Sequence, residues 1–153
     1  MNRASRRAIA LIGLIVLASA CGLFPRPVYH VNPAALKEVR SIGTLKEEGS
    51  DEVDYAGAIE TYNVLVIDVG GRNGEEALDK AVDILRQKEW KVVGQGSLMT
   101  SMESDKWDGH LTATPFHPYQ LQHYPNILEA LKDKSTRTEA LVIITMNARR
   151  SGL

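Results

Sequence analysis

Few side chains in this chain have the types and spacing to do chemistry. His110, His117 and His123 fall close together, beside Asp105 and Asp108. Neutral imidazoles with a nearby carboxylate bind zinc or copper. Their spacing matches no metal motif, and proline-rich loops often carry solvated histidines, so the trio are ligands only if folding converges them. Ser97, Ser101 and Ser104 are hydroxyl nucleophiles in principle, but none lies in G-x-S-x-G. No base stands in an evident position to activate them. Gly70-Gly71-Arg72-Asn73-Gly74 resembles neither phosphate-binding glycine pattern. It reads as a tight turn before a helix, with an anion pocket at Arg72 as the alternative. The last nucleophile is the thiol of Cys21, the only cysteine. These residues predict neither an enzyme nor a bound cofactor.

The segment before Cys21 explains the thiol. Arg3, Arg6 and Arg7 precede an uncharged run from Ala8 to Ala18, and Ser19 and Ala20 then lead to the cysteine. This is the basic, apolar, small-residue order of an export signal. The apolar run is shorter than the roughly 20 residues that span a bilayer. Ala18-Ser19-Ala20-Cys21 resembles the lipobox of bacterial lipoproteins, although Ala18 stands where that family prefers leucine. The resemblance implies cleavage before Cys21, a diacylglycerol thioether on its sulfur, and often acylation of the new amine. Two or more acyl chains anchor stably where one does not. Ser5-Arg6-Arg7 also resembles a twin-arginine signal, which would imply export of a folded domain. The expected address is the extracytoplasmic side of a cell membrane, with lipid as the anchor.

Removing residues 1–20 takes away three arginines and no acid, which turns a formal charge of −1 into −4. A mildly acidic chain without a polybasic run is a poor nucleic-acid ligand. The expected organisation is a signal at 1–20, a partly extended tether at 21–54 and a small α/β domain at 55–153. Pro25, Pro27 and Pro33 stiffen the tether. Asn32 is a candidate cap for a short helix through Leu36 and Val39. The acidic stretch from Glu47 to Asp54 reads as a solvated loop.

Within the domain, 62–69 is rich in β-branched residues and reads as a strand buried on both faces. Asn73 and Glu76 have capping-box spacing. Ala77, Leu78, Ala81, Val82 and Leu85 then form one helical stripe. A second extended segment runs from Trp90 to about Met99, and a polar stretch separates it from a third at 107–116. There Leu111 and Ala113 alternate with His110, Thr112 and Thr114. Leu121 to Leu131 suggests a second helix, and 140–146 a final apolar strand. Trp107, Phe116, Tyr119 and Tyr124 are either core packing or the rim of a ligand site.

The order β-α-β-β-α-β predicts an α+β, ferredoxin-like split β-α-β fold, with two helices on one face of a four-stranded antiparallel sheet. A three-layer sandwich that uses the tether helix is the alternative. In the ferredoxin-like case Leu65, Ile67, Val69, Leu141 and Ile143 face the helices. Val64, Val66, Val142, Ile144 and Met146 then line the other face. An apolar patch of that kind calls for a partner, a second copy or a covering segment. Ala34, Leu36 and Val39 could supply the cover. The functional expectation is a lipid-anchored, non-enzymatic interaction or structural module of the cell envelope, binding itself or an envelope protein. A small-solute or metal-binding lipoprotein using His110, His117 and His123 is the alternative.

Overall fold

The computed structural model describes residues 26–132 and 137–148. The expected signal at 1–20 and Cys21 lie outside them. Strand β1 (Val28–Tyr29) leads to helix α1 (Pro33–Arg40), and a long hairpin follows, β2 (Thr44–Tyr55) and β3 (Ala58–Asp68). Helix α2 (Gly74–Gln87) precedes β4 (Lys91–Gly96), β5 (Met99–Ser104) and β6 (Gly109–Pro115). A 3₁₀ turn (Pro118–Leu121), helix α3 (Pro125–Lys132), a second 3₁₀ turn (Thr138–Ala140) and β7 (Val142–Ala148) complete the described order. No helix among the described residues is long and apolar enough to cross a membrane.

Local chemistry accounts for the helices. Asn32 accepts a hydrogen bond from Ala34 N at 2.9 Å, and Pro33 follows it as the first helical residue. Asn73 accepts from Glu76 N at 2.9 Å. The Glu76 carboxylate does not return to its cap residue. It accepts from the backbone and side chain of Arg72 and pairs with Lys80. Ala77, Leu78, Ala81, Val82 and Leu85 are all buried, as the stripe predicted.

The described residues are mixed α+β, with one mixed sheet of seven strands. Six of them run in the order β2-β3-β7-β6-β5-β4, with antiparallel neighbours throughout. β2 pairs along the whole of one edge of β3. The other edge is shared by β7, against Asn63–Ile67, and by the short parallel β1, against Ile59 and Glu60. The 62–69 and 140–146 segments do pair, but the ferredoxin-like arrangement is not adopted. The sheet has more than four strands, and the helices lie on opposite faces. α1 and α2 bury Ala35, Val39, Ala77, Ala81 and Leu85 against Leu65, Ile67, Leu111, Ala113, Val142, Ile144 and Met146. α3 and the first 3₁₀ turn bury Ile127, Leu131 and Leu121 against Val64, Val66, Leu141 and Ile143. The result is three-layered, yet the third layer is α3, and the helix expected in the tether joins α2. Strands apolar on both faces require cover on both.

This overturns the expected open apolar face. Val64, Val66, Val142, Ile144 and Met146 are all buried, the first at 4% exposure and the others at 0%. They do not even share a face. Register places Ile144 opposite Leu65 and Ile143 opposite Val66, so the assumed phase of the last strand was off by one residue. Two other expectations also change. The stretch expected to be a tether, 21–54, holds α1, which packs in the core, and all of β2 but its last residue, which pairs with β3. The polar stretch expected at Ser101 to Lys106 is in its first part strand, since β5 runs from Met99 to Ser104 with Thr100, Met102 and Ser104 buried.

The turn after β3 sets how closely α2 approaches the sheet. Gly70 has a positive φ of 77°. A Cβ on Gly71 would come within 2.7 Å of the backbone of Ala77. Gly71→Ala is therefore expected to destabilise the domain by about 2 kcal/mol. A thermal melt checks this, and an unchanged midpoint would show that the turn can yield.

Candidate interaction surface

The sequence candidates scatter. His110 lies on β6, and its Nδ1 is 3.1 Å from Asn147 Oδ1 across the pairing with β7. His117 caps the 3₁₀ turn, accepting from Tyr119 N at 3.3 Å. His123 contacts Gln122 at 3.2 Å. Among the described residues, no three His, Cys, Asp or Glu side chains come together to hold a metal. Ser104 is fully buried, and among the described residues no partner reaches its hydroxyl. Arg72 is committed to Glu76, whose carboxyl is pulled down to about 2, first by the Arg72 hydrogen bond and then by Lys80. That carboxylate sits in the first turn of α2, where a bound anion would meet repulsion. The aromatic group divides as well: Trp107 packs on the first core, Phe116 and Tyr124 on the second, and Tyr119 stands 70% exposed.

The structure instead draws attention to the β4–β5 hairpin and its root. Trp90 immediately precedes β4, and Trp107 lies between β5 and β6. Both indole N–H groups donate to one carboxylate oxygen of Glu38 on α1, at 3.0 and 2.9 Å. Lys106 reaches the second oxygen at 3.2 Å, and its ammonium lies 4.4 Å from the centre of the Trp107 ring. Burial pushes the Glu38 carboxyl up, but the hydrogen bonds from Trp107, Trp90 and Lys106 outweigh it and hold the group below its ordinary range. Lys91 and Asp105 close the root with a 2.6 Å ion pair. This clamp joins residues far apart in the chain, and no motif announces it.

Beyond the root the hairpin changes character. Val92 to Met102 carries no charged side chain. Among the described residues, β4 ends the sheet order on its side and pairs only with β5. A bulge between Val92 and Gly94 leaves Val93 without a cross-strand partner and 54% exposed. Leu98 and Met99 at the tip are 67% and 47% exposed. The opposite edge differs. Lys46, Glu47, Glu48, Asp51, Glu52 and Asp54 load β2 with charge, which is how soluble proteins blunt an edge.

Next to β4 the sheet face on the α3 side is polar. Glu103, His110 and Asn147 form one cross-strand row, and Ser101, Thr112 and Thr145 form the next. All are half-buried. The second core takes residues from β3 and β7 but none from β4, β5 or β6. Two open grooves of about 320 and 300 Å³ flank β2 around Gly49. Arg40 and Glu48, which line the first, are already paired at 2.7 Å. A comparison with family models, curated proteins and solved structures finds no match to the chain.

Proposed function

We propose that this chain is an exported, lipid-anchored, non-enzymatic module of a bacterial cell envelope, and that it engages another protein through β4 and the β4–β5 tip. The single observation that carries the binding reading is the uncharged hairpin at the sheet edge, with Val93, Leu98 and Met99 exposed. Such an edge offers backbone donors and acceptors to an added strand, and its apolar side chains supply the buried contact. The Glu38 clamp supports the reading because a fixed root loses less entropy when the tip is bound. The anchor reading is supported by the Arg3 to Cys21 signal. Two chemically unlike edges favour a single directional contact, since β2 repels the stacking that β4 permits.

The test is photocrosslinking in the envelope from an unnatural residue at Leu98, with and without Val93→Lys. The expected result is one dominant protein adduct that Val93→Lys reduces at least tenfold. The melting temperature of the variant should stay within about 2 °C of wild type, because Val93 is largely exposed. An adduct with a second copy would identify the contact as self-association. No adduct from Leu98 in correctly exported protein would sink the binding reading.

A further inference from the structure

The first described residues lie at one end of the sheet. Arg26 forms an ion pair with Asp54 near the end of β2. Pro27 O accepts a hydrogen bond from Ile59 N at 2.9 Å, and Val28 and Tyr29 then lie beside Ile59 and Glu60. From Arg26 onward the backbone is tied to the β2–β3 hairpin. Only Gly22 to Pro25 separate that point from Cys21. Their full extension places the Cys21 and Arg26 Cα atoms at most about 18 Å apart.

Four large apolar side chains stand exposed at this same end: Val28 at 45%, Tyr29 at 40%, Val53 at 42% and Tyr55 at 57%. Register relates them. Tyr29 and Val53 both lie opposite Glu60, and so share one face, with Tyr55 two positions further along it. Val28 lies in the neighbouring row, on the other face. This patch projects past the end of the β3–β7 pairing, which begins at Asn63.

We infer that the β2–β3 hairpin end is a membrane-docking surface. With Cys21 lipidated, Val28, Tyr29, Val53 and Tyr55 rest among the lipid headgroups and hold the domain in one orientation. The inference rests on the lipid-anchor reading. Acyl chains confine Cys21 to the headgroup level, and the short linker keeps the patch within reach of it. A contact too weak to recruit the domain alone becomes effective when the tether makes it intramolecular. Tyrosine suits the position, since its ring is apolar and its hydroxyl stays wet. Asp51, Glu52 and Asp54 on the same hairpin disfavour anionic lipid and keep the contact shallow. The β4–β5 tip then points away from the bilayer. Thr100, beside that tip, is level with Leu65 through Ala113 and Ile144, and Leu65 is about 20 Å along β3 from Ile59.

Lipidation consumes the native thiol, so a second cysteine can be labelled alone. Full-length lipidated protein carrying Val53→Cys or Leu98→Cys is labelled with an environment-sensitive fluorophore. It is then reconstituted in phosphatidylcholine vesicles containing nitroxide-labelled lipid. Quenching at position 53 should exceed that at position 98 at least twofold. Adding Tyr29→Ser and Tyr55→Ser should bring position 53 down to the level of position 98. Equal quenching at both positions, or quenching at 53 that ignores the tyrosine changes, would overturn the docking surface while leaving the anchor standing. Protein that fails to float with vesicles, and whose Cys21 itself takes the label, would overturn the anchor and the docking with it.

Discussion

Ile144→Asp is expected to unfold the domain. Ile144 is fully buried in the middle of β7, between Leu65 of β3 and Ala113 of β6, and belongs to the core beneath α1 and α2. An aspartate there has no described cation to pair with in that core, and burying its charge or forcing its protonation costs upward of about 4 kcal/mol. A domain of this size has only about 5–15 kcal/mol of stability to lose. Val66→Asp is expected to do the same from the other side of the sheet, where Val66 packs in the core under α3. Circular dichroism and a thermal melt read the outcome directly. A folded variant with a native melting temperature would return these residues to the surface and revive the apolar face as a binding site.

Glu38→Ala is the second large effect. The side chain is 15% exposed, so its hydrogen bonds are made largely out of water. Its removal leaves the indole N–H groups of Trp90 and Trp107 without their acceptor, and Trp90 is only 2% exposed. The expected loss is about 3 kcal/mol, or roughly 10 °C in melting temperature. Glu38→Gln keeps an acceptor and should cost about a third as much. The acid dependence separates charge from packing. The folded carboxyl titrates below its ordinary value, so its stabilising contribution is complete above roughly pH 4.3, the unfolded value, and drains away as pH falls through the folded one. The gap between wild type and Glu38→Gln should therefore be open near neutral pH and narrow in acid. A gap that stays constant with pH would show that the carboxylate charge contributes nothing. An Ala variant within about 1 °C of wild type would show that water replaces the carboxylate at both indoles.

Both variants probe features that differ in how far they can be read from the chain. The α2 stripe and its Asn73 cap are legible because a helix repeats its buried face through local geometry alone. The strand at β3 is legible because both its faces are buried and its residues are β-branched. β2 is not legible as a strand. It lies at an edge, its side chains are mostly solvated, and charge there is a device against pairing, so a long strand reads as an acidic loop. β5 hides for a related reason: its buried positions hold Thr100, Met102 and Ser104, of which only one is a large apolar residue.

The candidate sites divide the same way. Residue order alone is enough to read the three arginines and uncharged run ahead of Cys21, the single cysteine, the acidic balance of residues 21–153, and the helix and strands whose burial is periodic. Each depends on residue type and on neighbours a few positions away. Which faces of the sheet are covered emerges from the folded arrangement, because the phase of β7 against β3 is set by long-range register, and a slip of one residue exchanges the faces. The same folded arrangement gives His110, His117 and His123 separate local hydrogen bonds, and lets Glu38 gather Trp90, Lys106 and Trp107 from more than fifty positions away. Convergence of that kind comes from strand order and helix placement, which no spacing along the chain encodes.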